Sequence, residues 1–254
     1  MTAVATSRTS WLGGVRLVAG REVASYFDTA IAYVYGIGFV VLANSIFMNE
    51  FFLTGTVDMA SYFEALPLLL AIFIPAVTMR LWAEERRQRT IELLLTLPIT
   101  PMQAVVGKFA ASLALYGVFL LGSLPIVGML SALGHPDFGR IAGGYAGLLL
   151  LGGQLLAFGM FVSALSGDQI VAFVASTAVA FVLVLTGNPQ VVAVLDGLSP
   201  SLQLGTLLRE SISPMPHYEA FVRGLIELPA LVYFGGMTAV FLALNAVALD
   251  RARA

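Results

Sequence analysis

Six apolar runs, each long enough to cross a lipid bilayer, constrain the fold of this chain more than any other feature of its sequence. The hydrocarbon core of a bilayer is about 30 Å thick and requires about 20 mostly apolar residues per helix. The chain is 59% hydrophobic and 11% charged, whereas soluble domains carry about 25% charged residues. The sequence therefore predicts a single-domain, all-α integral membrane protein over residues 1–254. The six runs are 30–48, 64–82, 103–131, 141–165, 169–187 and 228–249.

The distribution of Lys and Arg predicts the orientation of the chain. If the N-terminus is cytoplasmic, ten of the 13 basic residues lie on the inner side. The outer side then holds three, namely Arg140, Arg209 and Arg223. Because basic residues are concentrated in cytoplasmic loops, both termini are expected to be cytoplasmic.

The first 28 residues do not have the pattern of a cleaved signal peptide, because Arg16 and Arg21 precede the first long apolar run. Within 1–28, Trp11 and Val18 belong to a set of apolar residues at near-helical spacing. Such a pattern is typical of a helix that lies in the membrane interface. A loose amphipathic tail is the alternative.

The outer segment 188–227 is too long for a simple turn and not polar enough for a solvated loop. Two stretches, "LSPSLQLGTLLRES" and "HYEAFVRGLIEL", have helical apolar spacing and are separated by prolines, which predicts two short helices in the outer leaflet. His217 begins the second stretch and is either an outer gate or docking point, or a hydrogen-bonding residue that fixes the helix start. Arg223 and Glu227 are four residues apart and are expected to form an ion pair.

The inner loop 84–101 is the least apolar part of the chain. Residues 84–97 are predicted to be helical, with an ion pair between Glu85 and Arg89. Thr100 and Gln103, with proline next to the threonine, match a capping box that begins the third span. This rigid corner between the second and third spans either binds a soluble partner that displaces both spans, or lies on the lipid surface without a partner.

Several kinds of chemistry are absent from the sequence. The chain has no cysteine, which excludes disulfides and thiolate metal sites, and it has no G-x-S-x-G or HExxH motif. Gly107-Lys108 is the one Gly-Lys pair and lacks the upstream glycine of a phosphate-binding loop, so Lys108 is expected to extend to the inner interface. Asp168 is expected to cap the fifth helix. The chain is therefore predicted to be non-catalytic and to bind no cofactor or metal.

One long segment, "MRLWAEERRQRTIELLLTLPITPMQAVVGKF", resembles the signature region of permease subunits of ABC-type exporters. More narrowly, it resembles the gliding-motility-associated, GldF-like branch. The stretches "REVASYFDTAIAYV", "LSGDQIVAF" and "SPMPHYEAFVRGLIELPALVYF" resemble that branch in the same order. The chain departs from the branch at Thr29-Ala30, where Ser-Pro is usual, and at Arg89, where glycine is usual.

The resemblance implies an assembly of two six-helix permeases and two cytosolic ATPase subunits, which bind the ATP and Mg²⁺. The second permease is either an identical or a sibling chain. This protein is then expected in the bacterial inner membrane as the multi-pass subunit of an ATP-driven exporter. A membrane-anchored partner with a large extracytoplasmic domain is also implied. The alternative is a scaffold or mechanical transducer that relays ATPase strokes to a periplasmic partner without moving cargo.

The resemblance also assigns roles to residues. The helix between the second and third spans becomes the coupling helix, with Glu85 directing it against the N-terminal helix. His217 and Arg223 become candidates for an outer gate or partner docking. The residues expected to contact the ATPase or support that contact are Glu85, Arg89, Thr90, Glu92, Leu95, Thr96, Leu97, Pro98, Ile99 and Thr100.

Overall fold

The structure is a computed structural model and describes residues 10–28, 30–88, 99–198 and 202–251. These ranges contain twelve α-helices and no strand. The helices are α1 (Trp11–Phe27), α2 (Ala30–Thr54), α3 (Ala60–Thr78), α4 (Arg80–Arg87), α5 (Pro101–Leu121), α6 (Leu124–Leu133), α7 (Phe138–Leu165), α8 (Gln169–Leu185), α9 (Pro189–Leu198), α10 (Leu204–Ser211), α11 (Met215–Val222) and α12 (Leu228–Arg251).

Five helical stretches are long and apolar enough to cross a membrane: Ala32–Thr54, Ala60–Arg87, Pro101–Leu133, Phe138–Leu165 and Leu228–Arg251. The helices α8 and α9 meet at 92° and supply a sixth crossing if the pair forms one span. The all-helical, multi-span prediction is therefore confirmed for the described ranges, with five or six candidate spans.

Helix α7 lies at the centre of the fold, where it packs against α3, α4, α5, α8, α11 and α12. Its glycines allow this close packing. A Cβ atom at Gly147 would lie 2.6 Å from the Cβ of Phe221, and one at Gly143 would lie 2.7 Å from the carbonyl oxygen of Phe221. The glycine pair therefore forms the surface on which α11 rests, within the same chain.

The second span is interrupted at Met79, where α3 meets α4, and a side chain from α7 stabilises the break. The hydroxyl of Ser163 accepts hydrogen bonds from the backbone N–H groups of Trp82 and Ala83, both at 3.2 Å. The same hydroxyl donates to the carbonyl oxygen of Met79 at 3.0 Å. Backbone groups that an interrupted helix leaves without helical partners are costly in an apolar environment, so Ser163 compensates for the break.

The third apolar run, predicted as one helix over 103–131, is two helices. Helix α5 ends at Leu121 and α6 begins at Leu124. Ser123 lies at the junction and shares a hydrogen bond of 2.6 Å with the hydroxyl of Tyr145, while Asn44 donates to the carbonyl oxygen of Gly122 at 3.3 Å. Hydrogen bonds from Tyr145 of α7 and Asn44 of α2 thus satisfy polar groups at the break.

Two of the predicted helix starts are confirmed. Thr100 and Gln103 form the capping box, with Pro101 as the first residue of α5. One carboxylate oxygen of Asp168 accepts from the backbone N–H groups of Ile170 at 2.7 Å and Val171 at 3.2 Å. Both signals depend only on neighbouring residues, which explains why the sequence reveals them.

The outer segment has three short helices in its described residues, 188–198 and 202–227, not the predicted two. Helix α9 begins at Pro189, where the Asn188 side chain accepts from the backbone N–H of Gln190 at 2.9 Å. Asp196 ties α9 to α10, because its carboxylate accepts from the Gly205 N–H and the Thr206 hydroxyl, both at 2.7 Å. The prediction missed α9 because it placed the first helix around Pro200, and residues 199–201 lie outside the described ranges.

Two elements predicted on the inner side, the N-terminal helix and the helix over 84–97, are present at least in part. The N-terminal segment contains helix α1 where a loose tail was the alternative, and α1 packs along α5. The helix predicted over 84–97 is present as α4 up to Arg87, followed by a cap at Gln88. The rest of that prediction falls on 89–97, outside the described residues.

Candidate functional site

Helices α1, α4 and α5 meet around Lys108. The Lys108 ammonium lies 2.8 Å from the Glu22 carboxylate of α1 and 3.0 Å from the Glu85 carboxylate of α4. Its side chain is 2% exposed. The prediction that Lys108 extends to the interface is wrong, because both anions lie inside the junction and hold the ammonium there. We call Glu22, Glu85 and Lys108 the inner anchor.

Other contacts surround the inner anchor. The Lys108 ammonium lies 5.0 Å from the centre of the Trp82 ring, within the range of a cation–π interaction. Arg21 approaches Glu85 at 3.6 Å. The Tyr26 hydroxyl is hydrogen-bonded to Ser112 at 2.8 Å, and burial, with the Glu22 charge, raises the pKa of Tyr26 well above its ordinary value. Tyr26 therefore stays neutral and acts as a hydrogen-bonding group.

A second contact joins α1 to the start of α5. The Gln103 side chain accepts from the Thr100 N–H at 2.8 Å and donates to the Trp11 carbonyl oxygen at 3.2 Å. Gly107 lets the helices approach, since a Cβ there would lie 2.7 Å from the Val18 side chain. The residue that caps α5 therefore also holds α1.

The inner anchor is suited to mechanical transmission and not to bond chemistry. Removing one member of a buried ion pair leaves an uncompensated charge, which is strongly destabilising. The three helices are therefore constrained to keep the anchor together when any one of them moves. A displacement at the end of α4 or at the start of α5 would be shared with α1.

The predicted coupling residues divide into two groups. Glu85 belongs to the inner anchor, Thr100 caps α5, and Ile99 is 8% exposed and packs in the inner core with Val18 and Trp82. The remaining coupling residues lie outside the described ranges: Arg89, Thr90, Glu92, Leu95, Thr96, Leu97 and Pro98. The expected Glu85–Arg89 pair is among the features that the structure does not describe.

At the other end of the bundle, His217 stacks on the Tyr233 ring of α12 with centroids 4.4 Å apart. The Tyr233 hydroxyl donates to the Ile212 carbonyl oxygen at 3.0 Å. The hydrogen bond at the start of α11 comes from Ser213, whose hydroxyl accepts from the Met215 N–H at 3.3 Å. The structure thus gives Ser213 the helix-start role considered for His217, and His217 joins α11 to α12.

Arg223 does not pair with Glu227 in the described residues. Helix α11 ends at Val222, and Gly224 has a φ of +81°, so the two side chains do not share a helix. The guanidinium of Arg223 donates instead to the Glu219 carbonyl oxygen at 3.2 Å. The predicted ion pair is wrong because the helix is shorter than its apolar pattern.

Arg223 lines a cavity of about 780 Å³, which we call the outer cavity. Its walls come from α2, α3, α8, α9 and α11, and most of the lining side chains are apolar. Its charged lining residues are Glu64, Glu219 and Arg223. Tyr218 fixes α11 beside α3, because its hydroxyl donates to the Phe63 carbonyl oxygen at 2.6 Å. His217 packs on Tyr233 and does not line this cavity.

Sequence reasoning placed Glu85 against the N-terminal helix, which agrees with its 3.6 Å approach to Arg21, but it missed Glu22, the pairing of Lys108 and the outer cavity, which join residues distant in the chain. Glu22, for example, lies 86 positions before Lys108. Within the described ranges, no group of His, Asp and Glu side chains has the arrangement of a metal site.

The chain matches a known protein family. Residues 9–253 match the family model described as ABC-2 family transporter protein. No curated protein matches the chain.

Proposed function

This chain belongs to the ABC-2 transporter family as a membrane-spanning permease subunit, and we propose that it couples ATP hydrolysis in separate ATPase subunits to export of a substrate. Permeases of this family associate with ABC ATPases and act as dimers, and they are generally non-catalytic. The proposal adds a direction of transport, a coupling element and an orientation in the inner membrane. It also retains the resemblance of the sequence to the GldF-like branch.

The observation that carries this proposal is the burial of Lys108 between Glu22 and Glu85. A chain with 11% charged residues keeps three charged side chains together where α1, α4 and α5 converge. Burying a charge costs free energy unless the charge is paired. A buried charged cluster in such an apolar chain therefore indicates a structural or functional role. Holding three helices in one unit next to the proposed ATPase contact is such a role.

The proposed coupling element is the segment 84–101. It begins in α4, passes through residues 89–98 and ends at the capping box of α5. An ATPase that binds this segment would displace α4 and α5, and the inner anchor would transmit that displacement to α1. The second and third spans continue from α4 and α5, so the movement would reach the membrane interior.

The outer cavity supports transport over pure mechanical relay. Its volume, about 780 Å³, lies in the range of about 300–1,000 Å³ that small-molecule sites occupy. Its mainly apolar wall, with Arg223, Glu64 and Glu219 as charged lining residues, suits an amphipathic cargo. In this proposal Arg223 contributes to the outer gate, and the exposed surface of 188–227 is available to an extracytoplasmic partner.

The test is copurification of the full-length protein with the ATPase encoded beside it. Glu92→Arg and Leu97→Asp are expected to abolish copurification, because they reverse a charge and insert a charge in the proposed contact. Glu210→Arg and Leu207→Asp are matched controls on the exposed outer helix α10 and should retain the ATPase. ATPase binding that survives both inner changes would refute the coupling role of 84–101.

A further inference from the structure

A second cavity, of about 480 Å³, lies beside the inner anchor between α1, α2, α3, α4 and α5. Its walls carry three cationic and three anionic side chains above an apolar floor. The charged residues are Arg21, Arg80, Lys108, Glu22, Glu84 and Glu85. The floor includes Ala76, Val77, Leu115 and Phe119. We call this space the inner cleft.

An apolar groove of about 340 Å³ lies next to the inner cleft, between α2 and α5. The two spaces share Ala32, Leu115 and Phe119 in their walls. The groove has no charged residue in its lining, and five of its lining residues are exposed: Phe27, Tyr33, Ile37, Val41 and Val118. A charged mouth joined to an apolar groove has the shape and polarity of an amphiphile with a charged head.

The position of this site relates it to the membrane. The charged mouth lies where the first candidate span begins, at Ala32, and where the second span is interrupted, just before α4. The groove then follows the exposed face of α2 through Ile37 and Val41. A bilayer lipid places its headgroup at the interface and its acyl chains in the hydrocarbon core, which is the same arrangement. Basic pockets between transmembrane helices bind anionic lipid headgroups, whereas this mouth carries side chains of both signs.

The charges in the inner cleft indicate the headgroup. Lys108 is already paired with two carboxylates at 2.8 and 3.0 Å. Arg21 is 58% exposed, and its contact with Glu85 is longer, at 3.6 Å. Arg80 and Glu84 form a partly exposed i,i+4 pair at 3.0 Å, and such pairs contribute little to stability. A phosphate can therefore bind Arg21 and Arg80 while an ammonium binds Glu84.

We propose that the inner cleft and its groove bind one phosphatidylethanolamine molecule of the inner leaflet. Its ethanolamine ammonium has N–H donors for Glu84, whereas a choline headgroup has none. A net anionic headgroup would lack a partner for Glu84 and add charge to a cleft whose own side chains balance. This inference is independent of the ATPase contact, since it concerns only the lipid-facing side of the inner helices.

The test is native mass spectrometry of the full-length protein released from nanodiscs that contain equal parts of phosphatidylethanolamine, phosphatidylcholine and phosphatidylglycerol with matched acyl chains. The expected result is selective retention of phosphatidylethanolamine. Arg80→Gln with Glu84→Gln should reduce that retention about tenfold, because charge-assisted hydrogen bonds are lost. Asp58→Asn with Arg140→Gln removes another partly exposed ion pair of 3.2 Å, far from the cleft, and should leave retention unchanged.

The acyl groove is tested separately. Ile37→Trp fills the groove from a position that is 64% exposed, so it should reduce lipid retention without disturbing the fold. Val232→Trp is the control, at a position on α12 that is 65% exposed and outside the groove. Equal retention of all three lipids, preference for phosphatidylglycerol, or equal effects of the variants and their controls would overturn the proposal. A changed dimer fraction in Ile37→Trp with unchanged lipid would also overturn it and assign the groove to a second copy of the chain.

Discussion

Lys108 is the residue whose environment most directly links packing to function. Its ammonium is held by Glu22 and Glu85 and faces Trp82. The two carboxylates converge on this one buried cation, and Arg21 approaches Glu85 from the exposed side at 3.6 Å. The charge of Lys108 therefore determines whether the junction of α1, α4 and α5 can stay closed.

Lys108→Met is expected to lower the free energy of unfolding by about 3–5 kcal/mol, because it leaves the two carboxylates together without their cation. The measurement is thermal unfolding of the purified protein in detergent, followed by ATPase copurification. Adding Glu22→Gln and Glu85→Gln to Lys108→Met removes the two carboxylate charges that faced the ammonium and should restore most of the stability. A single variant as stable as the wild type would show that the anchor does not hold the junction.

The extent to which the sequence predicts individual residues depends on the distance to their partners. Asp168 caps α8 and Thr100 caps α5 through groups no more than three residues away, so their roles follow from local sequence. Lys108 and Glu22 are 86 residues apart, and no local pattern connects them. The sequence predicts either a gate or a helix-start role for His217. Its ring contact with Tyr233 could not be predicted, because it depends on how α11 meets α12.

At the level of helices, the break between α3 and α4 connects the membrane interior to the proposed coupling segment. Ser163 of α7 is the only polar side chain shown to bond both sides of that break in the described residues. Since α7 also packs against α11 and α12, the break is tied to the centre of the fold. A weakened junction at the break would let α4 move without moving α3.

Ser163→Ala is expected to reduce stability by about 1–3 kcal/mol, because the N–H groups of Trp82 and Ala83 and the carbonyl of Met79 lose a partner. Coupling should fall as well, measured as substrate-stimulated ATPase activity of the assembled complex. Ser131→Ala is the control, since the Ser131 hydroxyl is exposed and bonds only to its own helix, at the Val127 carbonyl oxygen. Equal losses in the two variants would contradict a specific role for Ser163 at the break.

Apolar run length predicted where the helices lie but not where they break. Each run coincides with a helical stretch, because about 20 apolar residues are needed to cross the bilayer. The breaks at Met79 and at Gly122–Ser123 depend on partners from other helices, such as Ser163 and Tyr145. The sequence therefore predicts the spans more reliably than it predicts their breaks.

For the whole molecule, the number of crossings determines which surfaces face the ATPase. Helix α8 has 17 residues, which corresponds to about 25 Å at 1.5 Å per residue. That length is shorter than the hydrocarbon core of about 30 Å, and α9 turns away at 92°. If α8 crosses the membrane, both termini lie on the same side as 84–101; if it does not, the C-terminus lies on the opposite side.

Introduced cysteines can distinguish these arrangements, because the chain has none of its own. Intact cells that express single variants would be treated with a membrane-impermeant maleimide before and after permeabilisation. With six crossings and a cytoplasmic N-terminus, Thr56→Cys and Glu227→Cys are labelled in intact cells, whereas Gln88→Cys and Arg251→Cys are labelled only after permeabilisation. All four positions are exposed, so burial does not protect them.

The pattern of labelling separates an error in crossing number from an error in orientation. If α8 does not cross, Glu227→Cys and Arg251→Cys exchange their behaviour while Thr56→Cys and Gln88→Cys keep theirs. If the orientation derived from the basic residues is inverted, all four exchange together. Labelling of Gln88→Cys in intact cells would place 84–101 outside the cell, beyond the reach of a cytosolic ATPase, and would refute the proposed coupling role whatever the stability of the inner anchor.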